Sequence, residues 1–195
     1  MNSLGVLVLA TAVLVMIPGP NVALIVANSL RYGIRMGVMT VVGTTAGVAA
    51  QLALVVIGLA AVVEFAADTL VWIRWAGVVY LVWLGIRMWR EPVAESQEVE
   101  AAPAMFCRGC LLAVLNPKIL LFNAAFVPQF VGDGSTAQFA LVATVFVGVL
   151  FVGDVLWALF ANSARQLLRR NALWRNRITG IFLAAAGIGL AFSRR

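Results

Sequence analysis

The 195-residue chain has no histidine, one lysine, two cysteines and eight carboxylates, and only 11% of it is charged. Each shortage excludes something. Without histidine there is no serine–histidine pair and no imidazole metal ligand. Two cysteines alone cannot complete a four-ligand zinc site. No G-x-x-x-x-G-K-[ST] run occurs, so the chain carries no ATP motor. Soluble domains hold about 25% charged and about 45–50% apolar residues. A soluble fold of this composition could not cover its surface.

What is present is hydrophobicity. Apolar residues make up 63% of the chain, and the mean hydropathy is +1.01. An integral membrane protein fits, with the lipid bilayer as its solvent. Catalysis, a cofactor and a bound metal are not expected. The net charge of +6 does not point to nucleic acid, because the arginines cluster at the ends of apolar runs, as a topology signal does. Met1-Asn2-Ser3 forms no positive n-region, so the first run is expected to be retained as a span.

Six apolar runs fit spans at about 4–30, 37–63, 69–90, 105–130, 137–161 and 178–193. Crossing a bilayer takes roughly 20 residues, so only the last run is short. The segment 91–104 holds Glu91, Glu95, Glu98, Glu100, Pro92 and Pro103 and reads as a hydrophilic linker. The segment 131–136 reads as a turn. Arg31, Arg35, Arg87, Arg90, Arg108, Arg165, Arg169, Arg170, Arg175 and Arg177 all fall on one side of this arrangement, the cytoplasmic one. Both termini then lie outside, although the terminal Arg194-Arg195 pair opposes that orientation.

Three spans per half make the two halves enter the membrane in opposite senses, which is the geometry of an inverted repeat. The expected fold is an all-α integral membrane protein forming one domain over 1–195, built as two inverted three-helix halves, 1–90 and 105–195. Asn21 and Asn28 are seven residues apart, as are Asn116 and Asn123; an offset of 95 relates the two pairs, and an offset of 103 carries Gln51 onto Asp154.

Two proline-broken motifs stand inside these runs: Pro18-Gly19-Pro20-Asn21 in the first and Asn116-Pro117-Lys118 in the fourth. Proline removes a backbone donor and clashes with the preceding turn. In hydrocarbon that is tolerated only where protein or a watery cavity re-satisfies the backbone. Broken spans at matching places in two halves are the best sequence pointer to a transporter's binding site.

Seven of the carboxylates fall in the expected connections or at span ends, and only Asp154 lies well inside a span. An ionisable group there costs roughly 2.5–3.5 kcal/mol on insertion scales, so Asp154 must face the bundle interior or water. It is the candidate to hold a substrate ammonium or to carry a coupling proton. Lys118 is the candidate partner of a substrate carboxylate or of Asp154, or else an anchor snorkelling to the interface. Asn21 and Asn116 flank the breaks and are candidate substrate contacts, while Asn28, Gln51 and Asn123 are candidates for a polar path. Gly33/Gly37 and Gly43/Gly47 have the small-x-x-x-small spacing of close helix packing.

Cys107 and Cys110 form a C-x-x-C pair, and an alternative reading is a membrane thiol oxidoreductase using them. Such a chain would need a second redox pair to pass electrons on, and it has no other cysteine. A third reading, a non-transporting scaffold, leaves the broken spans without a purpose.

Pro-Gly-Pro at 18–20, Arg-Tyr-Gly-Ile-Arg-Met-Gly at 31–37 with Gly43 and Gly47, Trp75-Ala-Gly77-Val-Val-Tyr80-Leu-Val-Trp-Leu-Gly85, Phe106 and Gly109 before Leu115-Asn-Pro-Lys118, and Pro128-Gln-Phe130 together resemble the LysE/RhtB family of amino-acid exporters, over about residues 4–192. The resemblance implies a six-span exporter of the bacterial inner membrane, driven by the proton gradient and assembled as a homodimer. It maps the family's motifs onto Pro18, Gly19 and Pro20, onto Asn116, Pro117 and Lys118, and its fifth-span aspartate onto Asp154. The C-x-x-C pair is not part of that pattern. With one buried acid and one nearby lysine the expected cavity is not strongly acidic, which favours neutral substrates such as homoserine, threonine or leucine.

Overall fold

A computed structural model describes residues 3–90, 101–131, 135–167 and 172–192, and these are all helix and short connections. The elements are α1 (Ser3–Met16), α2 (Pro20–Tyr32), α3 (Ile34–Arg90), α4 (Ala102–Val114), α5 (Pro117–Ala125), a 3-10 turn (Val127–Phe130), α6 (Thr136–Leu167) and α7 (Ala172–Phe192).

The proline motifs do what their chemistry requires. α1 stops at Met16, Gly19 is extended, and α2 starts with Pro20 at its first position, where a missing N–H costs nothing. The two helices meet at 57°. In the same way α4 ends at Val114, Asn116 is extended, Pro117 opens α5, and the second bend is 56°.

α2 is the axis of the bundle. Every residue from Pro20 to Leu30 is buried, the polar Asn21, Asn28 and Ser29 included. It ends at Gly33, whose φ of 92° suits glycine because it has no Cβ. Helices α3, α4, α6 and α7 pack around it. On α6 the buried residues Val142, Phe146, Leu150, Asp154, Ala158 and Ala161 recur every three or four positions and form one stripe. Asp154 therefore occupies a core position in an otherwise apolar row.

Gly43 and Gly47 bring α3 against α4: a Cβ at Gly43 would run into the Phe106 carbonyl, and one at Gly47 into the Cys110 carbonyl. Gly85 meets Gly180 across α3 and α7 in the same manner. These glycines pack helices within one chain.

The second and third apolar runs, expected as separate spans with a connection at 64–68, are both assigned to helix α3. The segment Glu64-Phe-Ala-Ala-Asp68 contains no glycine or proline to stop a helix. The two ends of α3 nevertheless share one neighbourhood. Val41 packs with Ile25 of α2, and Leu81 belongs to the cluster of Ala23, Leu24 and Ala27 on the same helix. A straight helix would hold Val41 and Leu81 about 60 Å apart, so the axis of α3 turns back between its ends.

Smaller differences concern boundaries. α4 begins at Ala102, inside the expected linker, and α7 begins at Ala172 rather than near 178. Linker residues 91–100, turn residues 132–134, and Arg169, Arg170, Arg194 and Arg195 lie outside the described residues. Among those described, Ile34–Leu54 and Thr136–Leu167 are each long and apolar enough to cross a membrane; counting each bent pair as one span brings the number to four.

Candidate functional site

The two breaks face each other. The Asn116 amide nitrogen donates to the Asn21 side-chain oxygen at 2.9 Å, joining residues that an offset of 95 relates. The Asn116 oxygen in turn accepts from the Lys118 backbone N–H at 3.1 Å and caps α5. One buried amide thus fixes the start of one half-helix and ties it to the start of the other.

Each break orphans backbone carbonyls, and the partners can be traced. In an unbroken helix the N–H of residue 18 would bond the carbonyl of residue 14, but Pro18 has none. The Leu14 carbonyl is taken instead by the Lys118 ammonium at 2.6 Å, and so is the Ile17 carbonyl. The indole N–H of Trp157 takes the Val15 carbonyl at 3.1 Å. At the second break the Ala113 carbonyl accepts the Asn116 backbone N–H at 3.1 Å, and the Val114 carbonyl loses its donor because the Lys118 N–H turns to the Asn116 side chain. There the Gln51 amide nitrogen donates to Ala113 at 3.2 Å and to Val114 at 2.8 Å, and the Gln51 oxygen accepts from Asn123 at 3.1 Å.

Between the breaks lies a cavity of about 20 Å³, lined by Leu14, Val15, Gly19, Asn21, Val22, Val48, Asn116, Lys118, Ile119, Leu150 and Asp154. It has room for a water but not for an amino acid. Its polar lining comes from Asn21, Asn116, Lys118 and Asp154, and its walls are aliphatic. Asp154 is 7% exposed, and its Oδ2 lies 3.5 Å from the Thr44 hydroxyl. The first turns of α2 and α5 open on this space, so the positive ends of two half-helices share it with one carboxylate.

A larger cavity of about 400 Å³ lies on the other side of Asn116, lined by Pro20, Tyr80, Arg108, Leu111, Leu112, Leu115, Asn116, Pro117 and Leu190. Asn116 and the prolines form the partition between the two spaces.

The structure thus gathers Gly19, Asn21, Asn116, Lys118 and Asp154 around the small cavity, while Pro20 and Pro117 line the larger one and Pro18 lines neither. Gln51 and Asn123 sit behind the second break. Asn28 is elsewhere: its amide donates to the Thr40 hydroxyl at 2.8 Å and joins α2 to α3. Sequence reasoning missed Trp157 and Thr44, and it did not foresee Lys118 as a cap. Trp157 is one turn from Asp154 on the same helix, and that spacing could have pointed to it. Nothing near Thr44 in the sequence marks it.

The profile of the LysE type translocators matches residues 12–194. The chain belongs to the LysE type translocators. Among relatives of this translocator are the threonine efflux protein of Escherichia coli K12, 30% identical over 93% of this chain and 94% of that one, and an uncharacterized membrane protein of Vibrio cholerae, 30% identical over 95% of each chain. The homoserine/homoserine lactone efflux protein of Salmonella typhimurium is 29% identical over 63% of this chain and 62% of its own. No solved structure matches the translocator. Two of these three relatives are named for efflux, and none is named for thiol chemistry. Cys107 and Cys110 are both free and are not among the residues lining either cavity of the site.

Proposed function

We propose that this translocator is a secondary-active exporter of neutral amino acids that exchanges a proton for its substrate across the bacterial inner membrane. The observation that carries the reading is the pair of opposed helix breaks, bridged by Asn21 and Asn116, around a small cavity that contains Asp154. A zwitterion suits that arrangement. Its carboxylate would lie at the N-termini of α2 and α5, among N–H groups that the prolines and caps leave available. Its ammonium would lie between Asp154 and the end of α1, since Leu14 and Asp154 line the same cavity. The aliphatic walls favour a neutral side chain over a charged one, in keeping with a threonine efflux relative.

Opposed breaks of nearly equal angle, and the bond between residues related by the 95-residue offset, support six spans arranged as two inverted halves. The cavity is too small for an amino acid, so the helices around it must part during transport. The larger cavity beside Arg108 lies on the arginine-rich side assigned to the cytoplasm and reaches the same Asn116, which makes it the approach for substrate. Parting of Asn21 from Asn116 would join the two spaces, and rocking of one half against the other would then expose the site outward. Asp154, the one ionisable acid at the site, would carry the proton in the return step.

The test is efflux from vesicles loaded with threonine, homoserine or leucine under an imposed pH gradient. Wild-type protein should accelerate loss of at least one of them in proportion to the gradient. Asp154→Asn should abolish the response to the gradient while the folded protein is still recovered. Equal gradient-driven efflux by Asp154→Asn would rule out the assigned role of Asp154.

A further inference from the structure

We propose that the Lys118 ammonium is a latch on the first break, and that the primary ammonium of an incoming amino acid takes its place on the Leu14 and Ile17 carbonyls. This rests on the reading of the protein as an amino-acid exporter and adds the event by which substrate opens it.

The carbonyls at the end of α1 form a site for a cation. They are the negative end of a half-helix, and proline has removed the backbone N–H that would bond Leu14. The cation now there is tethered. Lys118 belongs to α5, on the far side of the first break, and bonds both carbonyls. While it does so, α1 is held to α5 and the cavity between them stays near 20 Å³. The lysine stem occupies part of that region, since a Cβ at Gly19 would stand 3.3 Å from Lys118 Cδ. Withdrawal of the side chain therefore frees the carbonyls and makes room beside Asp154 in one movement.

A substrate ammonium is suited to this exchange. It has the same charge and the same three donors as the lysine ammonium. Replacing one by the other keeps a cation on the carbonyls at the negative end of α1. A four-carbon stem with rotatable bonds can swing aside. The second break has no such exchangeable group: its carbonyls are held by Gln51, a neutral amide that is 1% exposed. The ligand class follows. The site selects amines that carry several N–H donors and rejects the N-trimethylated form of the same amino acid, which keeps the charge but has no donor.

Lys118 is the only lysine in the chain, so protein labelled with [15N]lysine has a single side-chain ammonium resonance. In lipid nanodiscs, the ligand-free protein should show this resonance with slow hydrogen exchange. An amino acid that the protein exports from vesicles should shift it and speed its exchange several-fold. The N-trimethylated form of that amino acid should leave it unchanged. A rapidly exchanging ammonium in ligand-free protein would overturn the latch, as would a resonance that does not respond to a saturating amino acid proved to be exported. Either result leaves the exporter reading intact. If none of the tested amino acids is exported, the exporter reading fails, and the exchange fails with it.

Discussion

The two helix breaks bend by almost the same angle, 57° and 56°, but they are held by different chemistry. At the first, a half-buried lysine ammonium and a tryptophan N–H bond the free carbonyls. At the second, a fully buried glutamine amide does so, backed by Asn123. Similar geometry is therefore reached with a charged, flexible donor on one side and a neutral, fixed donor on the other. The difference assigns them different parts. On the latch proposal the second break holds its shape and the first lets go.

Substitutions at the caps test that contrast. The largest effect is expected for Lys118→Met, which keeps the stem and removes the donors. Charged hydrogen bonds contribute about 1.5–3 kcal/mol each, so thermal unfolding in detergent should show a marked loss of stability, and efflux should fall to background. Lys118→Gln is the sharper companion: it gives the first break the kind of cap found at the second. Its unfolding temperature should lie well above that of Lys118→Met while its efflux stays at background. Restored efflux would mean that an exchangeable cation is not needed there.

Gln51→Leu comes next. It leaves the Val114 carbonyl without the Gln51 donor, at a cost of about 1–3 kcal/mol, and efflux per folded molecule should fall less than in the lysine variants. Equal loss of efflux would erase the distinction between the breaks. Asn116→Ala removes the cap of α5, worth about 1 kcal/mol, together with the bridge to Asn21; its expected signature is a leak in which substrate runs down its own gradient. Trp157→Phe should have the smallest effect, about 0.5–1.5 kcal/mol for one neutral hydrogen bond, with efflux retained.

Much of this site could be read from the chain because its causes are local. Proline at 18, 20 and 117 removes N–H groups wherever it stands, so the positions of both bends followed from sequence. Asp154 was visible as the acid placed deep in an apolar run. The caps were not legible in the same way. Gln51 was singled out only as one polar side chain on a long apolar stretch, and Lys118 was paired in expectation with a carboxylate rather than with backbone. Asn28, which repeats the spacing of the motif asparagines, bonds Thr40 instead. A seven-residue spacing fixes a shared helix face but not which neighbour lies against that face.

The course of α3 marks the same boundary. Two apolar runs implied two spans, but no residue between them signals a helix end, and the helix assignment continues through. Only the packing of Val41 and Leu81 against the same short helix shows that its axis turns back.

The sequence by itself determined the solvent in which this protein lives, the places where its first and fourth runs must bend, and the position of its buried acid. These follow from composition and from the absence of single N–H groups. Which side chain answers each bend depends on the packing: the carbonyl freed by Pro18 is met from residue 118, and the Val114 carbonyl at the second break from residue 51. Hydrogen-bond demand is created locally by proline, but where buried backbone must be satisfied without water, supply comes from whichever helix the fold brings alongside.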